Sequence, residues 1–132
     1  MRTMIMGVVV TLALVASGCG GNDTGSSSGA SGLKGTKRLV DLSKTETGQL
    51  CDWAVSKIGS YGNPSRCDQP TAVYVFVYAD QAACIEDSVD PTDTDCTASV
   101  AQMEACVNAL PVCPTLSQVA SVPACAAVLE KC

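Results

Sequence analysis

Two similar stretches of the sequence decide the fold: SVAQMEACVNALPVC at residues 99–113 and QVASVPACAAVLEKC at residues 118–132. They align at an offset of 19 residues, which places Cys106 over Cys125 and repeats several neighbouring Val, Ala and Leu positions. Two copies of a Cys-bearing helix favour an antiparallel αα-hairpin. The repeat therefore predicts a mainly α-helical domain.

Capping signals place the other helices. A Ser43-x-x-Glu46 capping box opens one helix, which Gly59 ends. Ser99-x-x-Gln102 opens another, and Thr115-x-x-Gln118 opens a short turn. Asp80 is placed to cap a further short helix. The run at residues 71–78 alternates Val with aromatic residues, and it is either a short strand or an apolar segment before a helix. The fold class predicted is a small disulfide-rich helical domain with one short β element near residues 71–78.

The chain has nine cysteines and no histidine, and one cysteine, Cys19, belongs to the signal described below. Zinc and redox sites favour pairs such as C-x-x-C, whereas at least six residues separate neighbouring cysteines here. The remaining even number predicts four disulfides. In an antiparallel hairpin Cys106 faces Cys125, and Cys96 approaches Cys132. The other four cysteines pair among themselves, and the spacing does not say which are partners: Cys51, Cys67, Cys84 and Cys113.

The first residues have the pattern of a secretory signal that ends at Cys19. Residues 4–16 are apolar and uncharged, with Arg2 ahead of them and Ala-Ser-Gly directly before the cysteine. This run is shorter than the about 20 apolar residues that span a bilayer. The pattern resembles the lipobox of bacterial lipoproteins, which implies cleavage before Cys19 and acylation of that residue. Gly20 follows Cys19. In such lipoproteins an Asp at this position favours retention in the inner membrane, so the resemblance implies the outer membrane in a Gram-negative cell.

These signals divide the chain into three parts. Residues 1–18 are a signal peptide, residues 19–39 are the lipidated Cys and a Gly/Ser-rich linker, and residues 40–132 are the disulfide-stabilised helical domain. A Gly/Ser-rich segment buries too little apolar surface to offset the entropy of ordering. We therefore expect the linker to be a flexible tether.

The charge distribution argues against nucleic-acid binding. The formal net charge is −5, and no Lys or Arg lies between Arg66 and Lys131, where nine Asp and Glu fall. Binding to nucleic acid requires cationic side chains that contact phosphate, and binding to anionic lipid head groups requires cationic side chains too. The membrane contact that we expect is therefore the lipid anchor at Cys19.

The acidic loop is the candidate metal site. Asp93, Asp95, Thr97 and Glu104 occupy the first, third, fifth and twelfth places of an EF-hand-like frame, and calcium prefers clustered oxygen ligands on a loop. The sixth place is Ala98, where the turn prefers Gly. The alternative is a solvated acidic loop before an N-capped helix, with Glu104 facing water. We expect no other cofactor.

The residue types present also limit the kinds of catalysis that the chain could perform. The absence of histidine excludes Ser-His-Asp and Cys-His nucleophilic sites, so we expect a protein that is not an enzyme. The layout of LCDW at residues 50–53, a Gly-rich turn at 59–62, Cys67 and VAQMEAC at residues 100–106 resembles uncharacterised Cys-rich lipoproteins of myxobacteria and related Gram-negative bacteria. That resemblance implies a compartment and an architecture but no activity.

Two functions are expected from these observations. The first is a lipid-anchored lipoprotein of the cell envelope that acts as a non-catalytic interaction or structural module, with an envelope or extracellular protein as partner. The alternative is a domain that binds a small ligand or calcium through the acidic loop at residues 86–104.

Overall fold

The computed structural model describes residues 29–62, 67 and 74–132; the predicted signal peptide and Cys19 lie outside the described residues. The helices are α1 (Lys44–Ile58), α2 (Gln81–Glu86), α3 (Val100–Ala109), α4 (Leu116–Ser121) and α5 (Pro123–Leu129), and a 3-10 helix (Leu39–Asp41) precedes α1. Two short strands, β1 (Ser60–Tyr61) and β2 (Val77–Tyr78), pair in parallel. The predicted mainly α class is confirmed.

The helices begin at the residues that the capping signals predict. The capping boxes at Ser43, Ser99 and Thr115 are each complete. In each, the cap hydroxyl accepts from the third helical N–H, and the side chain of that third residue accepts from the cap N–H. The Asp80 carboxylate caps α2 by accepting from the Ala83 N–H at 2.9 Å. These caps satisfy amide groups that have no partner within the helix.

The predicted αα-hairpin forms, but its second copy is broken. Helix α3 packs on α5, and Cys106 is bonded to Cys125 across the two helices. The second copy divides into α4 and α5 because Pro123 lacks an amide hydrogen and cannot continue the preceding helix. Pro123 instead occupies the first turn of α5, where that hydrogen is not needed.

Four disulfides use all eight cysteines that remain after Cys19. Both disulfides that the repeat predicts are present. The structure also gives the pairing of the other four cysteines, which the spacing left open. The pairs are Cys106–Cys125, Cys96–Cys132, Cys51–Cys84 and Cys67–Cys113. The first pair joins α3 to α5, and the second joins the loop before α3 to Cys132. The third joins α1 to α2, and the fourth joins the segment after β1 to the turn between α3 and α4.

In the part of the chain that the structure describes, two buried clusters form the core, and three side chains connect them. The first cluster contains Leu33, Leu39, Val40, Leu50, Cys96, Ala98 and Val100. The second contains Ala54, Ile58, Cys106, Val107, Leu110, Val119 and Cys125. Trp53, Met103 and Val128 are partly buried and pack against both clusters. The single Trp of the chain is therefore a core residue.

The β-like run at residues 71–78 is an extended strand over only its last two described residues. Tyr74 makes an isolated antiparallel bridge to Thr115, and Val77–Tyr78 pairs with β1. Between them Phe76 has a φ of 59°, a left-handed conformation that interrupts the extended backbone. Residues 71–73 lie outside the described part of the chain.

Contacts with the helical domain begin before residue 40, which is the boundary predicted between linker and domain. The segment at residues 29–43, here called the N-terminal strap, is packed against the helical domain. The carbonyls of Lys37 and Gly35 accept from the first two amides of α3, those of Val100 and Ala101, at 2.9 Å each. Those amides have no partner within α3, so the strap satisfies them. The part of the predicted linker that precedes the strap lies outside the described residues.

Glu104 anchors the strap from within α3. Its side chain is 7% exposed, and its Oε1 accepts from the Ser31 amide at 2.7 Å. The carbonyl of Ser31 accepts in turn from Gln49 Nε2 of α1 at 2.8 Å. A Cβ at Gly29 would overlap the Glu104 carboxylate, so the backbone passes directly over it. A buried carboxylate requires such a partner, and the strap also buries Leu33.

Replacement of Glu104 by Ala is expected to release the strap. The change leaves the buried Ser31 amide without its acceptor, so the free energy of unfolding should fall by about 1–3 kcal/mol. Urea denaturation followed by circular dichroism measures the loss, and hydrogen exchange of the Ser31 amide should accelerate. Glu86→Ala, at an exposed position of α2, is the control and should change stability by less than about 0.5 kcal/mol. Equal losses in the two variants would contradict the anchoring role.

An ion pair joins the strap to α1 and predicts a pH dependence. Lys37 Nζ donates to both carboxylate oxygens of Glu46 at 2.7 Å, and the Ser43 amide donates to Oε2 at 2.8 Å. These hydrogen bonds, those from Lys37 first, lower the pKa of Glu46 from 4.5 to about 2. A pKa that is lower in the folded than in the unfolded chain adds stability above the unfolded pKa, and this stability is lost as the pH falls through the folded pKa.

Glu46→Gln is therefore expected to destabilise the domain near neutral pH but not in strong acid. The urea midpoint of the variant should lie below that of the wild type at about pH 6, and the difference should vanish towards about pH 2. Glu86→Gln is the control and should leave the midpoint unchanged at both pH values. A wild-type-to-variant difference that persists at the acid end would contradict the ion-pair assignment.

Candidate ligand pocket

A small apolar pocket lies between α1, α2 and the 3-10 helix. Its volume is about 170 Å³. Most of its wall is apolar and comes from five parts of the chain: Leu39, Leu42, Leu50, Cys51, Ala54, Phe76, Cys84, Val89 and Met103. Its polar lining groups, here called the rim, are Thr47, Tyr78, Asp87 and Ser88. An apolar cavity with a few polar groups is the usual form of a small-molecule site.

Two links hold the pocket walls together. The Cys51–Cys84 disulfide joins α1 to α2, and both cysteines line the pocket. Gln81 of α2 also reaches α1, where its Nε2 donates to Asp52 Oδ2 at 2.7 Å and to the Gly48 carbonyl at 3.3 Å. Gly48 permits this approach, because a Cβ there would lie 3.1 Å from the Gln81 side chain. The pocket is therefore preformed between two fixed helices.

The hydroxyl groups of the rim donate their hydrogens within the protein. Thr47 Oγ1 donates to the Ser43 carbonyl at 3.1 Å, and Ser88 Oγ donates to the Cys84 carbonyl at 2.8 Å. The Tyr78 hydroxyl donates to Asp87 Oδ2 at 3.4 Å. Burial, and after it the Asp87 carboxylate, raise the pKa of Tyr78 to about 12, so the phenol is neutral at physiological pH. The rim hydroxyls therefore retain oxygen lone pairs but have their hydrogens engaged within the protein.

The structure does not assemble the predicted calcium site. Glu104 is buried against the strap, whereas Asp95 and Thr97 are exposed in the loop before α3. Asp93 Oδ1 accepts from the Asp95 amide at 3.2 Å, a local turn. Within residues 29–62, 67 and 74–132, no group of three or more His, Cys, Asp or Glu side chains could hold a metal ion. Glu104 therefore does not face water, as the solvated-loop alternative expected.

The pocket was not apparent in the sequence. Its lining comes from the 3-10 helix, α1, β2, the end of α2 and Met103 of α3, and each of these carries ordinary core residues. Apolar periodicity marks such residues as buried but does not show whether they meet without filling the space. The two cysteines of its wall, Cys51 and Cys84, were expected to form disulfides, but their spacing did not identify them as partners.

The predicted lipid-attachment residue, Cys19, lies outside the described residues. Among the helices of the described part of the chain, none is long and apolar enough to cross a membrane. The sequence matches no protein-family model, and no curated protein or solved structure is significantly similar to it. Function is therefore inferred from the residues and the geometry alone.

The pocket is expected to bind a benzene-sized molecule, and Ala54→Leu is expected to abolish that binding. Ala54 is 4% exposed and lines the pocket, so a larger side chain fills the space from α1. Titration of the ¹⁵N-labelled domain with benzene, followed by NMR, should shift the amides of the lining residues. Ala82→Leu is the matched control, because Ala82 is exposed on α2 and does not line the pocket.

A second variant separates filling from unfolding. Overpacking at a buried site costs about 1–3 kcal/mol, so the fold of Ala54→Leu must be checked by circular dichroism. Thr47→Leu fills the pocket from its half-buried rim, where the side chain has more room. If either variant is folded and benzene still shifts its amides as in the wild type, benzene binds elsewhere. If benzene shifts no amides of the wild type, the pocket is not a binding site.

Proposed function

We propose that the chain is a lipid-anchored protein of the cell envelope, attached to the outer membrane through Cys19, whose domain is a non-catalytic binding module. The lipobox pattern at residues 16–19 supports the anchor. The four disulfides support an oxidising compartment outside the cytoplasm, because such bonds are rare where thiols are kept reduced. Full pairing of the remaining eight cysteines leaves Cys19 as the one cysteine for acylation.

The preformed apolar pocket carries the proposal of binding. Its walls are fixed by the Cys51–Cys84 disulfide and by the Gln81 hydrogen bonds, so a ligand pays little to order the site. This geometry favours a small apolar ligand over calcium, whose predicted oxygen ligands are not brought together. The predicted small-ligand function thus moves from the acidic loop to the pocket, which the loop borders at Asp87, Ser88 and Val89.

The hydrogen bonds of the rim support binding without catalysis. A nucleophilic hydroxyl needs a neighbouring base that accepts its proton, and histidine, the commonest such base, does not occur in the chain. Ser88 Oγ donates to a backbone carbonyl, which is not a base. The Tyr78 hydroxyl does donate to a carboxylate, but the high pKa of this phenol opposes formation of the nucleophilic anion.

Cys19→Ser is expected to abolish lipid attachment. The full chain, expressed in a Gram-negative host that is fed an alkyne-labelled fatty acid, should carry the label and fractionate with the outer membrane. The variant should carry no label, because the acyl acceptor has been removed. Intact-mass measurement of the extracted protein, with and without reduction, counts the acyl chains and the disulfides together.

Cys132→Ser is the matched control for the labelling. It also removes one thiol and breaks the Cys96–Cys132 disulfide, but it should keep the label. Labelled Cys19→Ser protein, or label lost equally from both variants, would contradict attachment at Cys19.

A further inference from the structure

The size of the pocket sets the size of the ligand. A volume of about 170 Å³ is close to that of an engineered apolar cavity of about 150 Å³ that binds benzene. One aromatic ring or a short branched alkyl group fills such a space, whereas a long acyl chain does not fit. The apolar wall, which includes Leu50, Phe76 and Met103, suits a group without polar atoms in its body.

The rim determines the hydrogen-bonding character of the ligand. The hydroxyls of Thr47, Tyr78 and Ser88 have their hydrogens directed to other protein acceptors. Each hydroxyl oxygen retains lone pairs, and the carboxylate of Asp87 is an acceptor only. The nearby amides of Asp87 and Ser88 also have backbone partners, the carbonyls of Ala83 and Ile85. The polar side chains of this rim therefore act as acceptors, which favours a ligand head group that donates.

The charge at the rim selects the sign of that head group. Asp87 is exposed at the end of α2, and of the described residues that line the pocket none is Lys or Arg. The side chains of Glu86 and Asp90 add two further acidic groups to the same stretch of chain, and the C-terminus of α2 carries a partial negative charge. An anionic head group meets repulsion here, whereas an ammonium group gains a charge-assisted hydrogen bond.

We propose that the pocket binds a small organic cation: an apolar body of about one aromatic ring with an ammonium group that donates to Asp87 at the rim. This ligand class rests on the proposed function, in which the pocket is the binding site. The apolar body supplies the burial, and the head group supplies the discrimination between cation, neutral molecule and anion.

A series of three probes of one size tests the ligand class. Benzylamine, benzyl alcohol and benzoate share the aromatic ring and differ in the charge of the head group at about pH 7. NMR titration of the ¹⁵N-labelled domain should give the tightest dissociation constant for benzylamine, in the millimolar range, then benzyl alcohol, with benzoate weakest. Added salt should weaken the binding of benzylamine and leave that of benzyl alcohol unchanged.

Asp87→Asn tests the contact itself. The amide keeps an oxygen that can accept from Tyr78 but loses the charge, so benzylamine should bind about three- to fivefold more weakly while benzyl alcohol is unaffected. Asp90→Asn is the matched control. Asp90 does not line the pocket, its variant removes the same charge, and Asn can keep the turn in which Oδ1 accepts from the Thr92 amide at 2.8 Å. The control should leave both affinities within twofold of the wild type.

The outcomes separate this proposal from the proposed function. Benzoate binding as tightly as benzylamine, or equal effects of Asp87→Asn and Asp90→Asn, would overturn the cation assignment while benzene binding keeps the pocket as a site. Failure of benzene and of all three probes to shift the lining amides would overturn both. Loss of benzylamine binding in folded Thr47→Leu protein, together with a selective effect of Asp87→Asn, would support both.

Discussion

The covalent link between Cys51 and Cys84 is the constraint on which the pocket depends. Helix α2 has six residues, which is too short for a helix to persist on its own in water. The disulfide and the Gln81 hydrogen bonds fix it against α1, which is longer and capped at its first turn. With α2 in place, its last turn positions Asp87 and Ser88 at the rim, and Asp87 receives the hydroxyl of Tyr78 from β2. One bond between two helices thus positions groups from three segments.

The strap contributes the opposite wall and depends on Glu104. Leu39 and Leu42 line the pocket, and both belong to the segment whose earlier residues pass over the Glu104 carboxylate. A buried carboxylate is costly unless it is hydrogen-bonded, so the Ser31 amide and Glu104 stabilise each other's burial. A residue of α3 that never touches the pocket therefore helps to shape it. Local stability and ligand affinity should be coupled through this segment.

Helix starts and two disulfides were predictable from the sequence because their causes are local or repeated. Ser43 and Ser99 cap helices through residues three positions away, and the 19-residue repeat alone aligns Cys106 with Cys125. The boundary of the domain was not predictable in this way. Residues 29–39 belong to the Gly/Ser-rich segment predicted to be a tether, yet their carbonyls accept from α3 amides and the Ser31 amide donates to Glu104, contacts that local composition does not reveal.

The pocket was unpredictable for a different reason. Its wall residues, such as Leu50 and Ala54, fall at ordinary helical spacing, and a cavity is a property of how several segments fail to fill the space between them. The same limit applies to the calcium frame: Asp93, Asp95 and Glu104 have suitable spacing, but the helix that begins at Val100 turns Glu104 towards the strap. Spacing along the chain places ligands together only when the backbone between them forms the required loop.

The charge of the whole chain is consistent with the ligand class inferred from the rim. A net charge of −5, with no basic residue between Arg66 and Lys131, attracts small cations and repels anions before any contact forms. Such steering acts on the rate of encounter and is screened by salt, whereas the hydrogen bond to Asp87 acts on the lifetime of the complex. The two effects are separable because Asp90→Asn changes the first and Asp87→Asn changes both. In the proposed function, the acidic stretch acts through its electrostatic field around an apolar pocket and not as a set of metal ligands.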